Sequence, residues 1–341
     1  MDDTNSIIIQ MIRENKSVNE IVEKTGLSPK KLYFRLNLLK LKGYEFKMKY
    51  YYNGNIVYQL IDDLIFKEQK GTTILTSKDD NEFRAMVISD LHFGNVKQRL
   101  DLLNQVYDYC TKMGIHIILN LGDIIDGLNL GCKKNITSFE EQIEYTIKNY
   151  PFDKNIINFL CLGNHDYDSL KSTGQNLAVA LSSRRHDLVT VGYGTGIINV
   201  KNDQIIMRHP TTPTIDNNIF NNKVILSGHS HVAKYTTSTD SSLNINVPSL
   251  SDLNLNNGIL PGALVVNFKL SGGYICIVDV FQLLFSNNKI YKVNEANFNV
   301  SRGKDIQSRV INNEEDKKKV LTPNNTKLSQ TEKFNKRYNK S

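Results

Sequence analysis

The fold of this chain is decided by an apolar run that ends in an acidic residue and a histidine: Arg84-Ala85-Met86-Val87-Ile88-Ser89-Asp90-Leu91-His92-Phe93-Gly94. Three further polar strings each follow an apolar run in the same way: Gly122-Asp123-Ile124-Ile125-Asp126, Gly163-Asn164-His165-Asp166 and Gly228-His229-Ser230-His231. His209 follows the shorter run Ile205-Ile206-Met207 and Arg208. Because α/β proteins place their sites where strands end at one edge of a sheet, we expect these strings to converge.

The converging side chains have the chemistry of metal ligands. They combine carboxylates, imidazoles and one amide, a mixture that favours Mn, Fe or Zn over Ca or a sulfur-bound structural Zn. Seven side chains qualify: Asp90, His92, Asp123, Asn164, His209, His229 and His231. Seven are too many for one ion, whereas two divalent ions about 3.5–4 Å apart that share Asp123 would use them all. We therefore expect two metal ions, with manganese first and iron or zinc as alternatives.

Composition and charge limit the class of protein. The chain has 341 residues and a net charge of +7, and it contains no run of about 18 apolar residues, so we expect no membrane span. Its acidic, polar N-terminus does not have the layout of a secretory signal, and its four cysteines are widely spaced. We expect a cytoplasmic protein. Residues 1–60 hold ten basic against six acidic residues, and residues 301–341 hold 11 against five, so both ends are basic.

From residue 84 the pattern alternates between strands and helices. We predict strands at 85–89, 115–121 and 156–162, each followed by a helix, at 96–112, 138–149 and 170–183 respectively. This β-α-β-α-β-α order predicts parallel pairing with the helices outside. After Leu188 only short strands follow, the last predicted at 274–281. The sequence therefore predicts a mixed α/β (α+β) fold with two sheets and helices outside.

The first 60 residues predict a small helical unit followed by a hairpin. Ser17-Val18-Asn19-Glu20 is a capping-box pattern that opens a second helix, which runs to Thr25. Ser28 and Pro29 open a third helix, and Gly43 follows its end. Asn53-Gly54 is a strong two-residue hairpin signal. This order is that of a winged helix-turn-helix.

This unit is basic on the face that such a domain turns to nucleic acid. Residues 29–49 carry seven Lys or Arg and a single acid, Glu45. Basic groups suit phosphate contacts, and a helix of this kind suits a major groove. The candidate nucleic-acid contacts are Lys30, Lys31, Arg35, Asn37, Lys47 and Lys49. The alternative is a small packing or dimerisation domain.

The predicted organisation has four parts. A winged helix-turn-helix domain spans 1–62, a linker 63–82 and the metal-binding domain 83–300. Residues 301–341 are rich in Asn, Lys, Ser and Thr, which predicts a basic, disordered tail.

The ordered set of strings resembles the calcineurin-like metallophosphoesterase superfamily over about residues 84–250. The resemblance implies a two-sheet β-sandwich flanked by helices. It also implies one metal held by Asp90, His92, Asp123 and His231, and another held by Asp123, Asn164, His209 and His229. A hydroxide that bridges the metals would be the nucleophile, because bound metals lower the pKa of water toward about 7.

The resemblance further assigns catalytic roles to three residues. Asn164 belongs to the ligand set, and His165 would protonate the leaving oxygen. Asp126 lies three residues after Asp123, where relatives often place a carboxylate that orients this histidine. The sequence departs from many relatives at Arg208-His209-Pro210, since they surround this histidine with small residues.

Three functions fit these observations. The first is a metal-dependent phosphodiesterase or nuclease that acts on DNA or RNA held by the winged helix. The second is a hydrolase of phosphoproteins, cyclic nucleotides or small phosphoesters, with the winged helix as a regulatory module. The third is a DNA-binding regulator whose phosphoesterase domain is not catalytic, although an intact Asn164 and His165 argue against it.

Overall fold

The computed structural model describes residues 3–41, 44, 46–60, 71–75, 81–128, 134–210, 223–237, 242–287 and 289–300. Gly43 and the tail 301–341 lie outside these residues. The helices are α1 (Asp3–Arg13), α2 (Val18–Thr25), α3 (Pro29–Leu41), α4 (Leu100–Met113), α5 (Phe139–Asn149), α6 (Asn164–Thr173) and α7 (Leu177–Ser182). A 3-10 helix spans Asp252–Asn257. No helix in the described part of the chain is long and apolar enough to cross a membrane.

Fifteen strands are described, and they form two sheets. They are β1 (Phe46–Tyr51), β2 (Ile56–Leu60), β3 (Thr72–Leu75), β4 (Glu82–Ile88), β5 (Ile117–Asn120), β6 (Ile157–Leu162), β7 (Leu188–Tyr193), β8 (Thr195–Val200), β9 (Asp203–Arg208), β10 (Val224–Ser227), β11 (Lys234–Thr237), β12 (Leu243–Asn246), β13 (Gly262–Ser271), β14 (Tyr274–Ser286) and β15 (Lys289–Asn299). One sheet has the order β11-β12-β10-β9-β8-β3-β1-β2, and the other has the order β15-β14-β13-β4-β5-β6-β7.

Strand β4 shows why the apolar runs are continuous. Phe83, Ala85 and Val87 belong to the core between the two sheets. Met86 and Ile88 belong to a second core that includes helices α4, α5 and α7. A strand that is buried on both faces needs an apolar residue at every position, which is typical of the parallel part of a sheet.

The predicted fold class is confirmed. Strands β4, β5, β6 and β7 pair in parallel, and helices lie between them in the chain. The structure departs from the prediction at residues 170–183, where one helix was expected and two helices, α6 and α7, are found. Helix α6 begins already at Asn164, and Gly174, with φ of 73°, ends it before α7. Strand β15 was also not predicted, because its residues are mostly exposed and carry no apolar run.

The N-terminal elements join the larger sheet directly. Ser17 caps α2 in a capping box with Glu20, as its sequence predicts, and Gly26 ends that helix. Strands β1 and β2 form an antiparallel hairpin around Asn53 and Gly54. The segment expected as a linker, 63–82, contributes β3, which pairs in parallel with both β1 and β8. The hairpin is therefore continuous with the sheet of the metal-binding region.

The closed end of this hairpin packs against the rest of the chain. An added Cβ on Gly54 would lie 1.9 Å from the Asn155 carbonyl oxygen, so the turn touches the loop before β6. The rings of Tyr50 and Phe159 meet edge to face at 5.3 Å. The hydroxyl of Tyr33 on α3 donates to the Ser182 carbonyl at the end of α7. Asn155 precedes β6 whereas the candidate ligands follow it, so the turn lies roughly 25 Å from them along the extended strand.

Candidate metal centre

The predicted metal ligands come together where β4, β5, β6, β9 and β10 end. Three groups of side chains among the described residues offer ligand atoms within 4.8 Å of one another: Asp90, His92 and His231; Asp123, His209 and His229; and His92, Asp126 and His165. The groups adjoin, because His209 Nε2 lies 2.9 Å from Asp123 Oδ2 and 4.0 Å from Asp90 Oδ1. Convergence of the four strings, expected from the sequence, is thus observed.

Main-chain hydrogen bonds hold the loops of this centre in register. The amide of Asp90 donates to the Gly122 carbonyl at 2.9 Å, and the amide of His92 donates to the Asp123 carbonyl at 2.9 Å. The amide of His229 donates to Asp90 Oδ2 at 3.1 Å. Each string is therefore positioned by another string as well as by its own strand.

Five candidate ligands have left-handed backbone, with positive φ. They are Asp90 (57°), His92 (48°), Asp123 (51°), His229 (70°) and His231 (60°). This conformation costs roughly 1–2 kcal/mol per residue for L-amino acids. Such strain persists only where the surrounding structure fixes it, and it is concentrated at functional sites.

Glycines allow the loops to approach closely. A Cβ on Gly163 would lie 2.1 Å from Asp123 Oδ1. A Cβ on Gly228 would lie 2.2 Å from Ser89 Oγ and 3.0 Å from His209 Nδ1. Neither position has space for a side chain, so each glycine is needed for the carboxylates and imidazoles to meet.

Three histidines present the same ring nitrogen to the centre. Each has an oxygen acceptor next to Nδ1: an Asp126 carboxylate oxygen for His92 at 3.2 Å, the Asp126 carbonyl for His165 at 2.8 Å and the Leu121 carbonyl for His209 at 2.6 Å. A carbonyl oxygen only accepts, so Nδ1 carries the hydrogen in His165 and His209. The lone pair of each neutral ring is then on Nε2, which points into the centre.

Asp126 contacts two histidines of the centre with different atoms. Its carboxylate, expected to orient His165, faces His92 through Oδ1 and accepts from Asn95 Nδ2 at 3.0 Å. The hydrogen bond from His165 is accepted by the main-chain carbonyl of Asp126, and a carboxylate oxygen lies within 4.8 Å of a His165 ring nitrogen. The Lys134 ammonium lies 3.7 Å from the other carboxylate oxygen. The side chain thus belongs to the His92 end of the centre.

Charges in the centre shift the ionisation of its histidines and aspartates. Burial opposes protonation of His92, but hydrogen bonds to Asp126 and Asp90 raise its pKa to about 10. Burial opposes protonation of His209 too, but its hydrogen bond to Asp123 raises the pKa to about 9. The pKa of Asp90 is held well below its usual value against the effect of burial, chiefly by His231 and His92.

Asp166 ties two of the loops together through hydrogen bonds to main-chain amides. Its Oδ1 accepts from the amides of Ile124 and Ile125 at 2.9 and 3.0 Å. Its Oδ2 accepts from the Gly163 amide at 2.8 Å. Complete burial and the nearby Asp123 raise the pKa of Asp166 to about 7. No local pattern distinguishes this long-range role from ordinary helix capping.

The predicted nucleic-acid contacts lie on the N-terminal elements, away from the centre. Lys30, Lys31 and Lys47 are exposed, and Asn37 and Lys49 are half-buried. The Arg35 guanidinium donates to Asn5 Oδ1 on α1 at 3.0 Å. Beside the lysines, Phe34 is exposed to 63 %.

A family model described as calcineurin-like phosphoesterase matches residues 83–233, which include all the candidate ligands. Residues 83–233 form a calcineurin-like phosphoesterase domain. The chain is thus a metal-dependent phosphoester hydrolase, as its sequence predicted.

No curated protein matches the chain. Several solved structures are similar to it at low identity. A vacuolar protein sorting 29 from Cryptosporidium parvum is 13% identical, with a TM-score of 0.39, and covers 64% of this chain and 100% of its own. A dimetal phosphatase from Danio rerio is 11% identical, with a TM-score of 0.40, over 65% of this chain and 100% of its own. The nuclease MPE from Pseudomonas putida is 13% identical, with a TM-score of 0.32, over 61% of this chain and 87% of its own.

Proposed function

We propose that this phosphoesterase is a dimetal phosphodiesterase that cleaves nucleic acid. The observation that carries the metal-dependent part is the convergence of adjoining ligand groups from strand ends of both sheets. The observation that supports a polymer substrate is the exposed face of α3, where Lys30 and Lys31 stand beside Phe34. The proposal interprets α1 to α3 and the hairpin as a winged helix-turn-helix.

The residues of the centre fit a pair of divalent ions. Asn164 Oδ1 is buried and has no hydrogen-bond partner among the described residues, and the buried His92 Nε2 and His209 Nε2 each lie within 4.0 Å of the buried Asp90 Oδ1. Leaving a buried polar atom unpaired costs about 1–3 kcal/mol, and coordination would remove that cost. Asp90, His92, Asp123 and His231 would hold one ion, and Asp123, Asn164, His209 and His229 the other. Manganese is the ion we propose.

Bound there, divalent ions supply Lewis-acid stabilisation of the phosphoryl charge and activate water at neutral pH. The protein supplies the proton. Because His165 Nδ1 donates to the Asp126 carbonyl, Nε2 is the atom that can hold and release a proton at the leaving oxygen. This ring is only 18% exposed and adjoins Asp123, with Nε2 3.7 Å from Oδ2.

The metal centre is open on the side where His165, His229 and His231 lie. Asp90, Asp123 and His209 are almost completely buried at its base, whereas His229 is exposed and His231 is half-buried. A phosphodiester can therefore enter past His229, His231 and His165 while the base of the centre stays closed to bulk water.

The proposal is tested with metal-depleted protein to which Mn²⁺ is returned, on single- and double-stranded DNA and RNA. Replacing Lys30 and Lys31 with Gln should raise the KM for the cleaved polymer and lower its salt dependence by about one unit of slope per lost phosphate contact. Turnover of bis(4-nitrophenyl) phosphate should stay unchanged. The matched control, Lys112→Gln with Lys148→Gln, removes the same charge from the exposed surfaces of α4 and α5. Absence of cleavage of every nucleic acid would refute the proposed substrate.

A second candidate is a hydrolase of small phosphoesters in which the N-terminal elements are structural. The contact of Gly54 with Asn155 favours it, because a wing whose tip is packed against the protein cannot enter a groove. Efficient hydrolysis of a small diester or monoester, combined with no effect of the lysine replacements on any polymer, would favour this candidate.

A further inference from the structure

We infer that Tyr167 and Tyr193 form a subsite for a nucleobase beside the metal centre. This inference rests on the proposed cleavage of nucleic acid and names the groups that would hold a base next to the reacting phosphate. Tyr167 is exposed to 47%. Its ring meets that of Tyr193 at 5.5 Å with an interplanar angle of 67°.

Helix α6 places Tyr167 next to the metal centre. Asn164 is the first residue of α6 and Tyr167 is three residues later. Side chains at i and i+3 are neighbours on one helix face, with Cβ atoms about 5–6 Å apart. The first turn of this helix is fixed, since the Tyr167 amide donates to the Gly163 carbonyl at 3.0 Å and Asp166 binds the preceding loops.

Tyr193 is anchored from the other side. It ends β7, and the carbonyl of the next residue, Gly194, accepts from the His209 amide at 2.9 Å. Its hydroxyl donates to Asn176 Oδ1 at 3.0 Å, and the same oxygen accepts from the Val179 amide at 3.2 Å as the cap of α7. Tyr193 is therefore held between a candidate ligand and a capped helix, and it supports the more exposed ring of Tyr167.

The position of the pair also suits a strand that reaches the centre from α3. The N-cap of helix α7, Asn176, contacts Tyr193, and the last residue of α7, Ser182, contacts Tyr33 of α3. Six helical residues span about 9 Å. A single strand held at Lys30 and Lys31 would pass α7 and then Tyr167 before it reached His165.

An aromatic face is the appropriate group for this task. Every base has a π-face, so stacking on a tyrosine holds a base without regard to its identity. A subsite of this kind predicts a preference for polymers with bases over polymers that have only the sugar-phosphate backbone, and little discrimination among the four bases.

The test compares Tyr167→Leu, which removes the ring, with Tyr167→Phe, which keeps it. The control is Tyr274→Leu, because Tyr274 is exposed to 49% and begins β14 at the opposite end of the sheet from the metal centre. The probes are a thymidine 12-mer, the same 12-mer with one 2-aminopurine at a scanned position, and a 12-mer of abasic tetrahydrofuran units. The thymidine and abasic 12-mers report kcat/KM with Mn²⁺, and 2-aminopurine fluorescence reports binding by metal-free protein.

We expect Tyr167→Leu to lower kcat/KM for the thymidine 12-mer about tenfold and to leave that for the abasic 12-mer within twofold. It should also abolish fluorescence quenching at one position, whereas Tyr167→Phe and Tyr274→Leu should resemble the wild type. If Tyr167→Leu cleaves and quenches like the wild type, the subsite is wrong although the proposed function stands. If the wild type cleaves duplex DNA or RNA but neither 12-mer, the subsite is wrong although the proposed function stands. If it cleaves no nucleic acid, the proposed function fails and the subsite with it.

Discussion

We expect replacement of the Asp126 side chain to weaken metal binding in this phosphoesterase and to leave proton transfer by His165 in place. The carboxylate accepts from Asn95 and contacts His92 Nδ1, whereas the hydrogen bond from His165 is accepted by the carbonyl of the same residue. A side-chain replacement therefore leaves the His165 contact in place and removes the charge that orients His92. We expect Asp126→Asn and Asp126→Ala to weaken Mn²⁺ binding while turnover at saturating Mn²⁺ falls less than about threefold.

The magnitude follows from the contacts. A hydrogen bond to a charged group contributes about 1.5–3 kcal/mol, and loss of such an orienting partner costs about 10–100-fold in metal affinity. Asp126→Asn keeps an oxygen acceptor, so its loss of Mn²⁺ affinity should lie near the lower end of this range. Asp126→Ala also leaves the Asn95 amide without its acceptor and the Lys134 ammonium without its nearby negative charge, so the loss of Mn²⁺ affinity should lie near the upper end of this range.

The assay is competition with a fluorescent chelator for Mn²⁺, followed by pH profiles of kcat at saturating metal. Asp108→Asn is the control, because it removes a carboxylate from the exposed face of α4. The reasoning is refuted if the Asp126 variants bind Mn²⁺ like the control but lose turnover together with the basic limb of the profile. That outcome would mean that the carboxylate acts on His165.

Three further predictions concern the same centre. Gly163→Ala should reduce bound metal by at least one ion per chain, measured by elemental analysis, because the new Cβ would lie 2.1 Å from Asp123 Oδ1; full metal content would contradict this packing. His165→Ala should slow turnover at least 100-fold with metal content nearly intact, as expected for loss of a general acid, and simultaneous loss of metal would contradict that role. Raising the pH from 7 to 9 should strengthen Mn²⁺ binding by up to tenfold per pH unit for each proton that the metal displaces. The reason is that the metal-free protein holds protons on His92 and His209, whose pKa values are raised to about 10 and 9. Calorimetry in buffers of different ionisation enthalpy counts the released protons.

The metal centre was predictable from the sequence because each string follows a strand. Apolar runs fix where β4, β6 and β10 end. Parallel pairing aligns the ends of β4, β5 and β6 in one sheet and those of β9 and β10 in the other, and the packing of the two sheets brings the two sets together. His209 could be found in the same way, although its flanking Arg208 and Pro210 are unusual. The capping box at Ser17 was equally readable, because its contacts lie within one helical turn.

Other features depend on contacts that no local pattern encodes. Which atom of Asp126 faces His92 and which faces His165 is set by the turn after Asp123, and both arrangements fit the same string. Strand β3 is four residues long and gains its partners from β1 and β8, which are far apart in the chain. The exposed β15 pairs along β14 through backbone hydrogen bonds, for which its side chains give little signal.

The position of β3 between β1 and β8 limits how the N-terminal elements can have been joined to the rest of this protein in evolution. Domains that recombine freely in evolution have separate hydrophobic cores, whereas here Tyr50, Ile74 and Phe159 belong to one shared core. Removal of the first 60 residues would open an unpaired edge at β3 and uncover apolar side chains, a known route to aggregation. The N-terminal elements and the phosphoesterase domain must therefore be inherited together. A substitution on one side of their shared core must be matched by a compatible residue on the other side.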